Sequence, residues 1–394
     1  MTKKTILHTD TLLTHAGNAP AKTHGTVNPP VYRASTIVHD SVAAYRDQES
    51  HRYSGKPYGL HGTPTTFALE DAIRQLEGGA HTVVTGSGLA AITAPLLSLL
   101  KQGQHVLMPD TVYGPTRAFC GRILKGFGIE TTYYDPLTGS GIAALIRPET
   151  GIVFVESPGS LTFEVQDVPA IATAAHDAGA LVMMDNTWAA GVFFKAFDHG
   201  ADISVQALTK YVSGHSDVMM GSVTVRDENL FKTIRTGVAD LGHHTAPDTC
   251  YLALRGLRTM SVRLRHQEQA ALKIARWLDG HDMVASVRHP ALESCPGHDT
   301  WKRDFTGSSG VFSFILQGGD EAAVAAMLDN MQLFMIGESW GGYESLILPA
   351  RPGHSRTATT WDEAGPVVRV NIGLEDIDDL IADLDAGLRR YAGD

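Results

Sequence analysis

Four charged side chains close short apolar runs in this chain, and their types point to chemistry before any fold is considered. Asp110 ends "QHVLMPD", Glu156 ends "TGIVFVE", Asp185 ends "ALVMMD" and Lys210 ends "ADISVQALTK". A lysine amine can form a Schiff base with a carbonyl, and a carboxylate can keep a ring nitrogen protonated. A third feature, "GSGLAA" at 86–91, puts glycines where an apolar run meets a helical one. Glycines there let backbone N–H groups approach a phosphate, and the helix start adds partial positive charge. A lysine, a carboxylate and a phosphate cradle are the three parts that a pyridoxal phosphate site requires. Tyr113, in "PDTVYGPTR" just past Asp110, offers an aromatic ring to stack on the pyridine.

Two other chemistries compete with this one. "GSGLAA" fits GxGxxA, and Asp110 follows at a plausible distance for a ribose hydroxyl, so an NAD-dependent dehydrogenase is an alternative. A dinucleotide unit usually opens its domain, however, and it would leave Lys210 without a role. Gly214-His215-Ser216 begins like the nucleophile elbow of a serine hydrolase, but Val218 stands where the closing glycine belongs. The paired His243 and His244 have no spacing to Cys250 or to an acidic residue that matches a common metal site, so no metal is expected.

These residues need elements to position them. From Thr65 the pattern is regular, and "TTFALEDAIRQLEGG" predicts a helix with Thr66 as N-cap and Gly78 as its stop. Seven apolar runs follow in alternation with helical stretches: "AHTVVTG", "QHVLMPD", "IETTYYD", "TGIVFVESPG", "ALVMMDNTWA", "ADISVQALTK" and "GSVTVRD". Such alternation predicts a mostly parallel seven-stranded sheet with helices on both faces, binding its ligand beyond the carboxyl ends of the strands. After the long helical pattern "TCYLALRGLRTMSVRLRHQEQAALKIARWLDG" come shorter strand and helix patterns, which predict a smaller C-terminal α+β domain. The expected division is 1–60 as an extended N-terminal arm against a neighbouring subunit, 61–256 as the cofactor domain, and 257–394 as the C-terminal domain.

The bulk composition narrows the ligands. Across 394 residues, 32 basic side chains face 43 acidic ones, and a net charge of −11 argues against a broad nucleic-acid or anionic-membrane surface. Small molecules are the expected ligands. Cys120, Cys250 and Cys295 are odd in number and form no CxxC, as in a reduced compartment. The start "MTKKTILHTDTLLTHAG" has no apolar h-region, and no run of eighteen apolar residues occurs, so a cytoplasmic protein is expected.

The block "DNTWAAGVFFKAFDHGADISVQALTKYVSGHSDVMMG" resembles the lysine-centred block of the Cys/Met-metabolism pyridoxal-phosphate enzymes, and the resemblance runs from about Leu12 to the C-terminus. Long motifs agree in order: "VESPGS", "WKRDFTGSSG", "SWGGYESL" and "GLEDIDDLIADLDAG" look most like the β-eliminating branch of that family. The resemblance implies the aspartate aminotransferase fold (fold type I) and a homotetramer built of two dimers that share active sites. It implies cleavage of the Cβ–S bond of L-cystathionine to homocysteine, pyruvate and ammonia, within methionine biosynthesis, and some action on cystine or cysteine conjugates. A γ-synthase or γ-lyase reaction on the same fold is the alternative. The γ-acting members often carry an asparagine in the block matching "ESPGSL", which this chain lacks.

Residue by residue, the resemblance makes Lys210 the Schiff-base lysine, Asp185 the partner of the ring nitrogen and Tyr113 the stacking tyrosine. Gly88 and Leu89 match the backbone donors to the phosphate, and Thr209 matches a hydroxyl that touches it. Arg369 matches the arginine that grips the substrate α-carboxylate, with Ser339 and Trp340 lining the same region. Tyr58 matches the arm tyrosine that reaches a neighbouring subunit's site, with Tyr53 as its competitor. The chain departs from the family at two places: Leu60 stands where a phosphate-binding arginine is usual, with His61, Lys56 or Arg52 as replacements, and Ala207 and Leu208 occupy positions where a serine is usual.

Overall fold

The computed structural model describes residues 7–48, 53 and 58–393. Two compact units divide the chain, one formed by 1–100 and 202–261, the other by 101–201 and 262–394. Seven of the described strands belong to a larger sheet and five to a smaller one.

The first unit begins with a short helix, α1 (Thr9–His15), whose Leu13 is fully buried, followed by α2 (Val42–Asp47). Within the segment expected as an arm, 9–15 is helical, two turns docked through the buried Leu13. Next come α3 (Pro64–Glu77), β1 (His81–Thr85) and α4 (Gly88–Leu99). The N-cap of α3 is Thr63, not Thr66. Thr66 sits at N3, and its hydroxyl accepts from the Thr63 N–H at 3.2 Å, so the two threonines share one capping box. Gly78 ends the helix as expected, in the left-handed region at φ 74° where glycine pays no Cβ penalty.

The same unit contains β6 (Ile203–Gln206), β7 (Gly221–Val225), α7 (Glu228–Asp240) and α8 (Pro247–Leu257). Strand β7 lies antiparallel to both β1 and β6. Strand β6 is pinned through its polar side chains: Ser204 Oγ donates to Glu77 Oε2 at 3.0 Å, and the Gln206 amide donates to Glu77 Oε1. Sequence alone reads one long helix after Thr249. The structure breaks it after α8, at Arg258 and Thr259, and resumes it as α9 (Met260–Asp279).

In the second unit, β2 (His105–Pro109), β3 (Glu130–Tyr134), β4 (Thr150–Glu156) and β5 (Leu181–Asp185) are parallel, in the order β5-β4-β2-β3. Helix α5 (Gly114–Phe119), continued by a π turn, and α6 (Val168–Asp177) supply the crossovers. The apolar centres of β2, β4 and β5 are buried, which is why they read as uninterrupted hydrophobic runs.

The rest of this unit is the smaller sheet, ordered β10-β11-β12-β9-β8. It comprises β8 (Val284–Arg288), β9 (Val311–Leu316), β10 (Met335–Ile336), β11 (Leu346–Ala350) and β12 (Val367–Asn371). Helices α10 (His298–Asp304), α11 (Glu321–Leu328) and α12 (Ile377–Ala392) accompany it. Phe312 and Phe314 of β9, Val368 and Val370 of β12, Ile274 of α9 and Leu384 of α12 share its core.

Candidate active site

In the first unit, Lys210 follows the end of β6 by four residues, in a turn where its N–H donates to Ala207 O at 3.0 Å and its carbonyl accepts from Gly214 N–H at 2.8 Å. Thr209 staples this turn to the chain entering β7: its hydroxyl donates to Met220 O at 3.1 Å and accepts from Met220 N–H at 2.9 Å. The proton of that hydroxyl is thus directed at a backbone carbonyl. Its structural work is to hold the lysine turn.

The glycine-rich segment meets the same turn. Ser87 caps α4, its Oγ accepting from Ala90 N–H at 3.1 Å. The N–H groups of Gly88 and Leu89 are the first two of the helix, with no carbonyl one turn earlier to receive them. A Cβ at Gly88 would lie 2.5 Å from Ala207 Cβ and 3.0 Å from its Cα. Glycine at 88 and a small residue at 207 are therefore one packing solution, which brings the helix start against the lysine turn.

Tyr58, 50% exposed, precedes a short 3-10 turn, Gly59–His61. Leu60 lines a small cavity with Glu70, Arg235, His243 and His244. An arginine does stand beside Leu60, but its guanidinium is committed: Arg235 donates to Glu70 Oε1 and to His61 O, both at 2.6 Å. Burial pushes the Glu70 carboxyl up, against the opposing pull of Arg235. Of the replacements considered for the missing arginine, Arg52 and Lys56 lie outside the described residues.

In the second unit, Tyr113, Asp185 and Arg369 lie within one electrostatic neighbourhood. Tyr113 is half-exposed and N-caps α5. Partial burial, followed by the negative charges of Glu338, Asp185 and Glu156, pushes its phenol up, while Arg369 pulls it down. Asp185 closes β5, and its Oδ1 accepts both from Thr187 N–H at 2.9 Å and from the Thr187 hydroxyl at 2.5 Å. Two donors on one oxygen fix the orientation of this carboxylate. Arg369, buried on β12, donates through Nη2 to Ser339 O at 2.6 Å, and its Nε is buried without a hydrogen-bond partner. Burial lowers its pKa, and the negative charge of Glu338 opposes that.

Ser339 holds φ 76°, a left-handed conformation uncommon outside glycine. Such backbone strain is of the order of 1–3 kcal/mol and collects where geometry is needed. Here it aims a carbonyl at Arg369. Trp340 follows, partly buried, and Gly341 N–H donates to Asn371 Oδ1 at 2.9 Å, tying this loop to β12.

Sequence reasoning gave no roles to Glu156, Glu338, Ser87 or Thr187. Glu156 is buried, accepts from Tyr113 N–H at 2.8 Å and from Ser160 Oγ at 2.6 Å, and lies beside Asp185. Burial first, then the Asp185 charge, pushes its carboxyl up to about 8. The signal was present in the sequence: two parallel runs each ended by a carboxylate.

The residues fit pyridoxal phosphate. Helix-start N–H groups beside a glycine whose Cβ would crowd Ala207 suit a phosphate, a half-buried lysine suits the aldehyde, and a carboxylate oriented by Thr187 suits a pyridinium. Asp110, in contrast, is not available to a ribose. Both of its oxygens are filled by the N–H groups of residues 357–359, which overturns the dinucleotide reading.

Fold and site define a pyridoxal-phosphate-dependent enzyme of fold type I. The chain belongs to the Cys/Met metabolism PLP-dependent enzyme family, whose model matches residues 10–389. It is 48% identical over 388 residues to cystathionine beta-lyase MetC of Escherichia coli (strain K12), covering 97% of this chain and 98% of that one. The cystathionine beta-lyase of Salmonella typhimurium (strain LT2) is 47% identical, with the same coverage of both chains. Among solved structures, cystathionine gamma synthase from Xanthomonas oryzae pv. oryzae matches with a TM-score of 0.90 at 34% identity, covering 99% of this chain and all of that one.

Proposed function

We propose that this chain is a carbon–sulfur β-lyase that converts L-cystathionine and water to homocysteine, pyruvate and ammonia, and that also accepts cystine or cysteine conjugates. The observation that carries the reading is the group around Tyr113: the buried Arg369 guanidinium with an unpaired Nε and the strand-end carboxylate Asp185 both act on its phenol. That arrangement presents a fixed cation to an amino-acid carboxylate near a ring-stacking tyrosine and a pyridinium partner. Full-length similarity to β-lyases supports the same reaction.

Pyridoxal phosphate, when bound, supplies an aldehyde that captures the substrate amine and a ring that accepts the electron pair left at Cα. Gly88, Leu89 and the Thr209 turn are proposed to hold the phosphate, and Lys210 the aldehyde carbon. Asp185, oriented by Thr187, would hold the proton at the ring nitrogen. Tyr113 would supply the ring that stacks on the pyridine. Arg369 grips the α-carboxylate, assisted by the walls that Ser339 and Trp340 provide, and so fixes the direction of the Cα–H bond. Lys210 Nζ would be the base that takes the Cα proton.

Tyr58 is assigned to a neighbouring subunit's site, in a homotetramer of two dimers, and the protein to the cytoplasm. Among the described residues no helix is long and apolar enough to cross a membrane. The domain roles proposed are an arm over 1–60, a cofactor domain over 61–256 and a C-terminal domain over 257–394. A γ-acting enzyme is the second reading, at the lower identity of 34%. Product analysis with L-cystathionine decides between them: pyruvate and homocysteine are expected, and 2-ketobutyrate with cysteine in their place would overturn the β-lyase assignment.

A further inference from the structure

Asp110 ends the β2 run three residues ahead of Tyr113, and the lyase chemistry leaves it without a role. Its side chain is fully buried. It accepts from three successive backbone N–H groups, Thr357 at 2.9 Å on Oδ1, Ala358 at 2.9 Å and Thr359 at 2.8 Å on Oδ2, and from the Thr359 hydroxyl at 2.8 Å. Arg117 Nη2 donates both to Asp110 Oδ1 at 2.8 Å and to Thr357 Oγ1 at 2.7 Å. Three consecutive N–H groups closing on one carboxylate form a nest, an arrangement that normally captures an anion. Here the anion is the protein's own.

The captured segment, 351–366, joins β11 to β12. It has a second fastening, where Arg356 donates to Glu164 Oε1 at 2.5 Å and to Thr162 Oγ1 at 2.7 Å. Farther along, Trp361 lies under the guanidinium of Arg356 at 5.2 Å, and Glu363 pairs with Arg288. Asp110 and Glu164 belong to the part of this unit built on parallel strands, whereas the strap belongs to the chain of the smaller sheet. Strand β12 is already hydrogen-bonded on both sides, to β11 and to β9, so it needs no strap to form. What the strap adds is a tie between the turn carrying Tyr113 and the sheet carrying Arg369.

We propose that Asp110 is a positioning residue: by holding the 357–359 backbone it sets where Arg369 stands relative to Tyr113, and so how the substrate carboxylate is presented. The inference rests on the roles proposed above for Tyr113 and Arg369. A strap of this kind acts on substrate presentation and not on cofactor capture, because the lysine and the helix-start donors lie outside it.

The test uses Asp110→Asn, which keeps the shape but turns one acceptor into a donor, and Thr359→Val, which removes the hydroxyl that donates to Asp110 and accepts from Arg356 Nη1 and leaves the backbone alone. In the holoenzyme, KM for L-cystathionine should rise about tenfold in Asp110→Asn with kcat within about threefold of wild type, a split that marks lost ground-state positioning. Cofactor affinity should be unchanged, and limited proteolysis of the cofactor-free protein should cut faster within 351–366. Thr359→Val should shift KM the same way by less. Unchanged KM in an Asp110→Asn protein whose strap is cut faster would overturn the proposal, as would loss of cofactor affinity in step with KM. Should Asp110→Asn not fold, unchanged KM in Thr359→Val overturns it. Failure of the lyase reading shows separately, as wild-type protein that makes no pyruvate.

Discussion

Glu156 and Asp185 end neighbouring parallel strands at paired positions, so that two carboxylates stand side by side, one holding the Tyr113 amide and the other held by Thr187. Burial first, and then the neighbouring Asp185 charge, keeps the Glu156 proton far above the ordinary carboxylate range.

The sign of the stability effect follows. Between its ordinary value of 4.5 and about 8, Glu156 is ionised in the unfolded chain but protonated in the native one. The native state binds more protons there, so this contribution to stability is lost as pH rises through the window. Glutamine cannot titrate, and Glu156→Gln should melt with a shallower decline between about pH 5 and pH 9. Melting curves at both ends of that range check it, and an unaltered slope would assign the titration elsewhere.

His289 gives the opposite slope. It is fully buried, and burial holds its imidazole down at about 3, from an ordinary 6.5. Between those values the unfolded chain takes a proton that the native state refuses, so stability falls as pH drops from 6.5 toward 3. His289→Asn retains an acceptor for the Ala291 N–H that Nδ1 now receives at 3.1 Å. Urea midpoints at about pH 4 and pH 7 should differ less in the variant than in wild type.

Lys210→Ala should abolish the visible absorbance of lysine-linked pyridoxal and reduce turnover by at least the 10²- to 10⁴-fold, on the order of what a positioned base contributes. Absorbance and single-turnover rate report this together. A coloured, active variant would remove the lysine from both roles.

Gly88→Ala tests the cradle. The added methyl would stand 2.5 Å from Ala207 Cβ, and overpacking of this kind costs about 1–3 kcal/mol. If the helix start retreats, phosphate donors retreat with it, and cofactor dissociation should be weaker-holding by about tenfold, the equivalent of ~1.4 kcal/mol. Gly121→Ala is the control, since nothing lies within 4 Å of a Cβ there. Equal cofactor affinity in the two variants would count against the cradle.

Much of this was legible in the sequence because parallel strands buried on both faces read as apolar runs and end in the polar residues that face a ligand. All seven runs became strands of the larger sheet. What escaped was decided by contacts distant in sequence. Asp110 looked free to bind a ribose because nothing local announces that residues 357–359 will close over it. The single helical pattern across Arg258 hid a break, since periodicity continues on both sides and only tertiary packing interrupts it. Thr66 and Thr63 exchanged capping roles because either satisfies the local rule. The short edge strand β10, two residues long and exposed, offers no periodicity to detect.

The break at Arg258 also sets a boundary for shortening the protein. Arg258 Nη1 collects the carbonyls of Leu13 and Ala16 at 2.7 and 2.8 Å, and Nη2 the Asn18 side chain at 2.7 Å. Burial already depresses this guanidinium, and three acceptors from one short stretch compensate it. Fusions ahead of Leu7 leave that arrangement intact. Deletion through Asn18 leaves this partly buried cation without its three acceptors at the joint of two helices, so the first helix behaves as a plug whose removal is felt at residue 258.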